Sequence, residues 1–411
     1  MLTRRIFLRG SAVVLAGMGA VPSWLARAAA TEGTKRKILV VIFQRGAADG
    51  LNIVVPFSER RYKELRPSLA IAPPNSQTPA NGLINGNAID LDGRFALNGA
   101  MQPLKALWDK QQLAIVEATG SPDNSRSHFE AQDSMESGTP GKPTGDGWLN
   151  RALPPTGTET SALRAVSMGK QVARTLRGER DAIAVGDPQQ FNMGNQDATS
   201  ILESMYASSA DAQWRRTGKD AFDAMKLIQS INRSSYSPQN GAQYGQGGEL
   251  GRSLQQLARL IKADAGVEAA FAEIDGWDHH GNENPQLSNM LRQFSFALSA
   301  FSQDMGDRME DIVIVTMSEF GRAVEENGNA GTDHGHGSLM MVLGGPVKGG
   351  KVYGKWPGLE HEQLFEGRDL AVTTDFRAVL GELIRGHLGQ KDLGPVFPGY
   401  QPGDPLGLLR T

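Results

Sequence analysis

The strongest constraint in this sequence is the run Lys37-Ile38-Leu39-Val40-Val41-Ile42-Phe43-Gln44, nearly continuous in β-branched and apolar residues and closed by a glycine-bearing loop. A strand with one wet face alternates apolar and polar residues, so a run without alternation fits a strand covered on both faces, as in a parallel sheet. Leu113 to Glu117, Asp311 to Met317 and Leu339 to Leu343 have the same character, and a shorter apolar run spans Val267 to Ile274. Helical periodicities lie between them: Leu254 with Leu257, Leu260 and Ile261, then a longer stripe from about Leu287 through Met290, Leu291, Phe294, Leu298 and Phe301. Near the end Phe376, Val379, Leu380, Leu383 and Ile384 form another, with Thr374 or Asp375 as N-cap. Buried strands alternating with amphipathic helices predict an α/β fold, a three-layer αβα sandwich on a mostly parallel central sheet. A ligand site is then expected beyond the carboxyl ends of the strands.

The N-terminus is of another kind. Arg4 and Arg5 precede a short apolar stretch from Gly10 to about Val21, followed by Ala26-Arg27-Ala28. A basic start, a short apolar segment and small residues before a cut describe a signal peptide over residues 1–28, and the paired arginines mark the Tat route. The stretch is shorter than the roughly 20 residues a membrane span needs, so cleavage is expected and no stable anchor. That predicts a periplasmic or secreted protein whose partner during export is the Tat translocase. Residues 35–411 form the remaining domain, with a cap or insertion expected at about 156–250, and the polar stretch from Ser234 to Gly251 reads as a long surface loop or an insert boundary.

Removing residues 1–28 takes away four arginines and no acid, moving the formal charge from −3 to −7. An acidic surface without clustered Lys and Arg argues against nucleic acid or anionic lipid as the main partner. The chain has no cysteine, which excludes disulfides, thiolate metal sites and a cysteine nucleophile. Any metal must sit on nitrogen and oxygen.

Of the seven histidines, five (His128, His279, His280, His334 and His336) fall in short polar motifs, and His361 and His387 lie outside any cluster. Glu273-Ile274-Asp275-Gly276-Trp277-Asp278-His279-His280 follows an apolar run, and its carboxylates and imidazoles can converge on a divalent cation; the alternative is a solvated turn. Ser318-Glu319-Phe320-Gly321-Arg322 ends the strand from Asp311, with Glu319 and Arg322 either facing a ligand or pairing with each other in the interior. Gly331-Thr332-Asp333-His334-Gly335-His336 precedes the strand at Leu339, its small residues leaving room for a ligand against the backbone. Ser125-Arg126-Ser127-His128 opens a helix, and Ser127 there is either a nucleophile or an N-cap. Arg45, after the first strand, can clamp an anion.

Together these stretches resemble the DUF1501 family of Tat-exported bacterial proteins. The matching segments are Arg45 to Asn52, Ser127 to Asp133, Gly276 to His280, Ser318 to Arg322 and Gly331 to Gly335, in that order and across most of the mature chain. That family looks like a branch of the alkaline phosphatase and sulfatase superfamily, which implies an alkaline-phosphatase-like sandwich. The superfamily pattern would place a metal on Asp275 and His279, whereas the DUF1501 pattern stresses Asp278 and His280. Glu319 falls where the superfamily has a metal-binding aspartate, and His334 or His336 resembles its final histidine ligand. Two departures, Gln44-Arg45 where a ligating aspartate is usual and Phe320 where a histidine is, imply one divalent cation (Zn, Mn, Ca or Mg), or none with Arg45 and Arg322 supplying positive charge.

The function this implies is metal-assisted hydrolysis of phosphate or sulfate esters, acting on a small anionic ester. A cation on Asp278, His280 and His334 would be joined by Ser127, attacking or positioning water, while Arg45 and Arg322 stabilise negative charge. The alternative is a non-catalytic exported binding or assembly protein on the same fold. A redox role has no support without cysteines or a dinucleotide glycine fingerprint.

Overall fold

The computed structural model describes residues 36–77, 86–155, 160–186, 203–233 and 235–410. The expected signal peptide, residues 1–28, and residues 156–159, 187–202 and 234 of the expected cap lie outside the described residues. We number the strands of the large sheet β1 (Ile38–Gln44), β2 (Leu113–Gly120), β3 (Ala165–Ser167), β4 (Ile183–Ala184), β5 (Ala269–Ile274), β6 (Ile312–Met317), β7 (Ser338–Gly344), β8 (Lys351–Tyr353) and β9 (Thr374–Asp375). Their order is β8-β2-β7-β6-β1-β5-β3-β4, with β9 also pairing on β2. Every pairing is parallel except those of β7, which runs against both β2 and β6. The carboxyl ends of β1, β2, β5 and β6 and the amino end of β7 therefore share one edge.

Among the described residues we number the helices α1 (Gln102–Asp109), α2 (His128–Ser137), α3 (Ala212–Arg233), α4 (Gly248–Lys262), α5 (Glu283–Met305) and α6 (Phe376–Leu383). All seven residues of β1 are buried, and they divide between the two faces of the sheet. Val40 and Ile42 join Ile314 and Ala272 against Leu104, Leu254, Leu257, Leu291, Phe294 and Leu298 of α1, α4 and α5. Leu39, Val41 and Phe43 join Val313, Val315 and Phe271 against Trp148, Phe376, Val379, Leu380 and Phe397. This is the expected αβα sandwich, and the absence of alternation in β1 follows from it: both faces are apolar because helices cover both.

Asp375 is the N-cap of α6, its side chain accepting from Arg377 N, while Thr374 belongs to β9. The polar loop expected to reach Gly251 ends sooner, because a 3-10 turn at Tyr244–Gly247 leads into α4 at Gly248. Residues 165–184 supply β3 and β4 at one edge of the sheet, and α3 packs on α4. Among the described residues, no helix is long and apolar enough to cross a membrane.

Candidate metal centre

The loops at the shared edge bring four side chains from three parts of the chain together. The Nε2 atom of His128, in the first turn of α2, lies 3.1 Å from His334 Nε2 and 3.5 Å from Asp278 Oδ2. His334 Nε2 is 3.2 Å from Asp278 Oδ1. His280 adds its Nε2 at 3.0 Å from His334 Nε2 and 2.9 Å from Asp278 Oδ1. Among the described residues, His128, Asp278 and His334 are the one group of three or more such side chains whose donor atoms all fall within metal-sharing distance, 4.8 Å of one another.

The opposite ring nitrogens determine what these atoms can do. His128 Nδ1–H donates to Glu319 Oε1 at 2.8 Å, His334 Nδ1–H to the Arg126 carbonyl at 3.0 Å, and His280 Nδ1–H to Asp333 Oδ1 at 3.2 Å. With Nδ1 protonated in a neutral ring, each Nε2 presents a lone pair, so three lone pairs and a carboxylate face one another. Such a group repels itself unless a cation or proton stands among its members. Tetrahedral ligands about 2.0–2.1 Å from zinc are about 3.3 Å apart, and the separations here, 2.9–3.5 Å, bracket that edge. The donor set, imidazole nitrogen with one carboxylate, fits zinc better than calcium, magnesium or manganese, which favour oxygen.

Each member is held from behind. Glu319 is buried at the end of β6 and accepts from Gly46 N, Gln132 Nε2 and His128 through Oε1, and from Ser318 Oγ through Oε2. Burial works to raise its pKa, but His128 and the other donors outweigh it and hold the carboxyl below its usual value. The same bond raises His128, whereas burial, with the neighbouring His128, lowers His334. Burial opposes ionisation of Asp278, but Arg322, donating from Nη1 to Oδ1 at 2.6 Å, prevails and keeps it low.

Glu319 and Arg322 thus pair outward with different partners, and not with each other. Arg322 is fully buried and committed to Asp278 and Thr332, not presented to an incoming anion. Arg45 is likewise engaged, donating to Glu273, Gln132 and Glu136 at 2.6–3.0 Å. Asp275 and His279 are not in the cluster. They line a polar cleft of about 1290 Å³ on the other side of the Trp277–His280 segment, together with Arg45 and Glu273. Asp278 and His280 reach the cluster, whereas His279, between them, is buried against the cleft. His336 also stands apart, buried and stacked on Phe365 at 4.3 Å between centroids. Asp333 supports His280 from its far side. Ser127 is the exposed N-cap of α2 and makes no side-chain capping bond; its amide donates to Ser125 Oγ, which in turn donates to Glu130.

Two expectations are corrected in detail. The small residues around His334 serve backbone packing, since a Cβ on Gly331 would meet His280 C at 2.4 Å and one on Gly335 would meet Arg322 C at 2.3 Å. His128, to which the sequence assigned no role, has its Nε2 in the centre. The available signal was its place in a polar stretch opening a helix just past a buried strand.

The molecule is therefore a mostly parallel αβα sandwich with a histidine and carboxylate cluster at its strand ends. It belongs to the DUF1501 family of proteins of unknown function, whose model matches residues 36–391. No curated protein sequence matches the chain. Among solved structures it is similar to an alkaline phosphatase superfamily protein from Vibrio parahaemolyticus, at 12% identity and TM-score 0.28, over 76% of this chain and 61% of that one. It is also similar to the lipoteichoic acid synthase LtaP from Listeria monocytogenes, at 10% identity and TM-score 0.31, over 75% and 65% respectively. A third is the sulfatase PsFucS1 from Pseudoalteromonas sp., at 9% identity and TM-score 0.37, over 95% and 78%. The chain thus spans less than two thirds of the length of the first two.

Proposed function

We propose that this chain is an exported, metal-dependent hydrolase of phosphate or sulfate esters, with His128, Asp278 and His334 holding one divalent cation and His280 beside them. The observation that carries the reading is the convergence of three imidazole Nε2 atoms and a carboxylate in contacts of 2.9–3.5 Å. A bound divalent ion supplies Lewis-acid polarisation of an ester oxygen and lowers the pKa of a hydroxyl or water. The chain's own part is orientation: Glu319, the Arg126 carbonyl and Asp333 hold the Nδ1 protons away from the centre. Ser127, one residue before His128 at the start of α2, stands where free helical N–H groups favour an oxyanion, and is our candidate nucleophile or water-positioning group. Export by the Tat route and a small anionic ester as partner complete the proposal, on the strength of the N-terminal sequence and the cluster.

A second reading, a non-catalytic exported binding or assembly protein, is favoured by one observation. Both Arg45 and Arg322 are already paired with carboxylates, so neither offers uncompensated charge to a transition state. Elemental analysis of purified protein, followed by assays on aryl phosphate and aryl sulfate, separates the two. The hydrolase reading expects about one divalent ion per chain and turnover lost in both His128→Ala and His334→Ala. Metal-free protein without turnover would leave the binding reading.

A further inference from the structure

Behind Asp278 runs a line of buried polar side chains that the cluster does not include. Arg322 Nε donates to Thr332 Oγ1 at 3.1 Å, its Nη2 donates to the Thr332 carbonyl, and its Nη1 reaches Asp278. Thr332 Oγ1–H donates in turn to Glu283 Oε2 at 2.7 Å. Glu283, the first residue of α5, is fully buried, and its Oε1 has no hydrogen-bond donor within reach. Beside it lies Asp49, which accepts two bonds from Arg66 at 2.5 and 2.9 Å. Arg66 is anchored by donating to the carbonyls of Ala323 and Val324.

Two adjacent buried carboxyl groups beside one guanidinium do not both ionise. Burial opposes the charge on Asp49, yet Arg66 keeps it ionised, whereas burial and the Asp49 charge push Glu283 well above the carboxylate range. A protonated Glu283 donates to Asp49 and accepts from Thr332, which accounts for its otherwise unmatched oxygen. Every group in the line then has a partner, and the line joins the loops after β1 and β5 to both ends of the loop between β6 and β7.

We propose that Thr332 and Glu283 are positioning residues that aim the Arg322 guanidinium at Asp278 and thereby set how tightly the cluster holds a divalent cation. The inference rests on the metal reading of the cluster. Asp278 is half-exposed, its side chain 42% accessible, and Arg322 is the fully buried group that fixes its carboxylate. Without Thr332 Oγ1, Arg322 Nε becomes a buried donor with no acceptor, and the guanidinium must move to find one. The positive charge of Arg322 by itself weakens cation binding, but groups that orient metal ligands in this way typically contribute roughly 10–100-fold to affinity, so orientation outweighs repulsion.

The test is the zinc dissociation constant of the purified full-length protein, measured by competition with a chromophoric chelator, with thermal unfolding of the metal-free form alongside. Thr332→Val is expected to weaken zinc binding roughly 10–100-fold, and Thr332→Ser to restore it. Glu283→Gln keeps a donor for Asp49 and an acceptor for Thr332, so its affinity stays within a few-fold of wild type, while Glu283→Leu behaves like Thr332→Val. Should Thr332→Val fail to fold, Thr332→Ala removes the hydroxyl without adding a methyl group and carries the same expectation. Zinc binding by Thr332→Val equal to wild type, or equal weakening by Thr332→Ser, overturns the inference and leaves the metal site standing. A wild-type protein that binds no zinc overturns the cluster reading and this inference with it.

Discussion

Glu319 illustrates how little a residue's type says about its task. It follows a fully buried strand, where the sequence places a polar ligand, yet its carboxylate faces the Nδ1 side of His128 and the amide of Gly46 and not the Nε2 centre. Whether a carboxylate meets a metal or the back of a histidine depends on an ångström or two of loop path, and residue identity does not encode that. Gly46 contributes to that path. Its φ of 114° is strained for any side chain, and a Cβ there would lie 2.7 Å from Asp278 N and 2.9 Å from Trp277 N, so glycine lets the loops after β1 and β5 touch. Gly46→Ala is expected to cost roughly 2–4 kcal/mol, from backbone strain and overlap together. Urea unfolding measures this directly, and an unchanged midpoint would mean that the close approach is not a constraint in solution.

At the level of elements, most of the pattern was legible. The runs at Lys37, Leu113, Val267, Asp311 and Leu339 all became strands, and the stripes from Leu254, Leu287 and Phe376 became helices, because continuous burial and helical spacing survive in one dimension. The direction of β7 was not legible, since a doubly buried run looks the same read either way. Only because β7 is antiparallel does the segment before it, with Asp333 and His334, arrive beside the carboxyl ends of the other strands. The long polar loop before α4 hid another device. Asp304, buried on α5, accepts from Tyr236 Oη, the Gln239 amide, Tyr244 Oη and Lys262 Nζ, pinning that loop and α4 to α5. Asp304→Ala leaves the partly buried Lys262 ammonium and two phenols without their acceptor, and should cost about 2–3 kcal/mol. Hydrogen exchange should then quicken over residues 235–247; protection equal to wild type would show that the loop is held by packing alone.

For the molecule as a whole, acid stability offers a reading of the sandwich itself. His387, beyond α6, is buried and donates from Nε2 to the Ile38 carbonyl of β1 at 3.0 Å, and burial lowers its pKa to about 4. The native state therefore keeps it neutral while the unfolded chain protonates near 6.5, so its contribution is whole above that pH, declines as pH falls toward about 4, and changes no further below. The span corresponds to at most about 3 kcal/mol. His387→Gln should flatten stability between pH 6.5 and 4 relative to wild type; parallel curves for the two proteins would exclude His387 as the acid-sensitive group. The layered architecture that buries this histidine was determined by sequence alone, because apolar runs and amphipathic stripes leave few ways to cover both faces of a sheet. So was the supply of polar residues at the strand ends. Only the tertiary structure decided which of them meet: it placed His128 with Asp278, His280 and His334, and turned Asp275, His279 and His336 elsewhere. Strand direction, loop path and side-chain facing determine such meetings, and these arise from contacts between segments far apart in the chain.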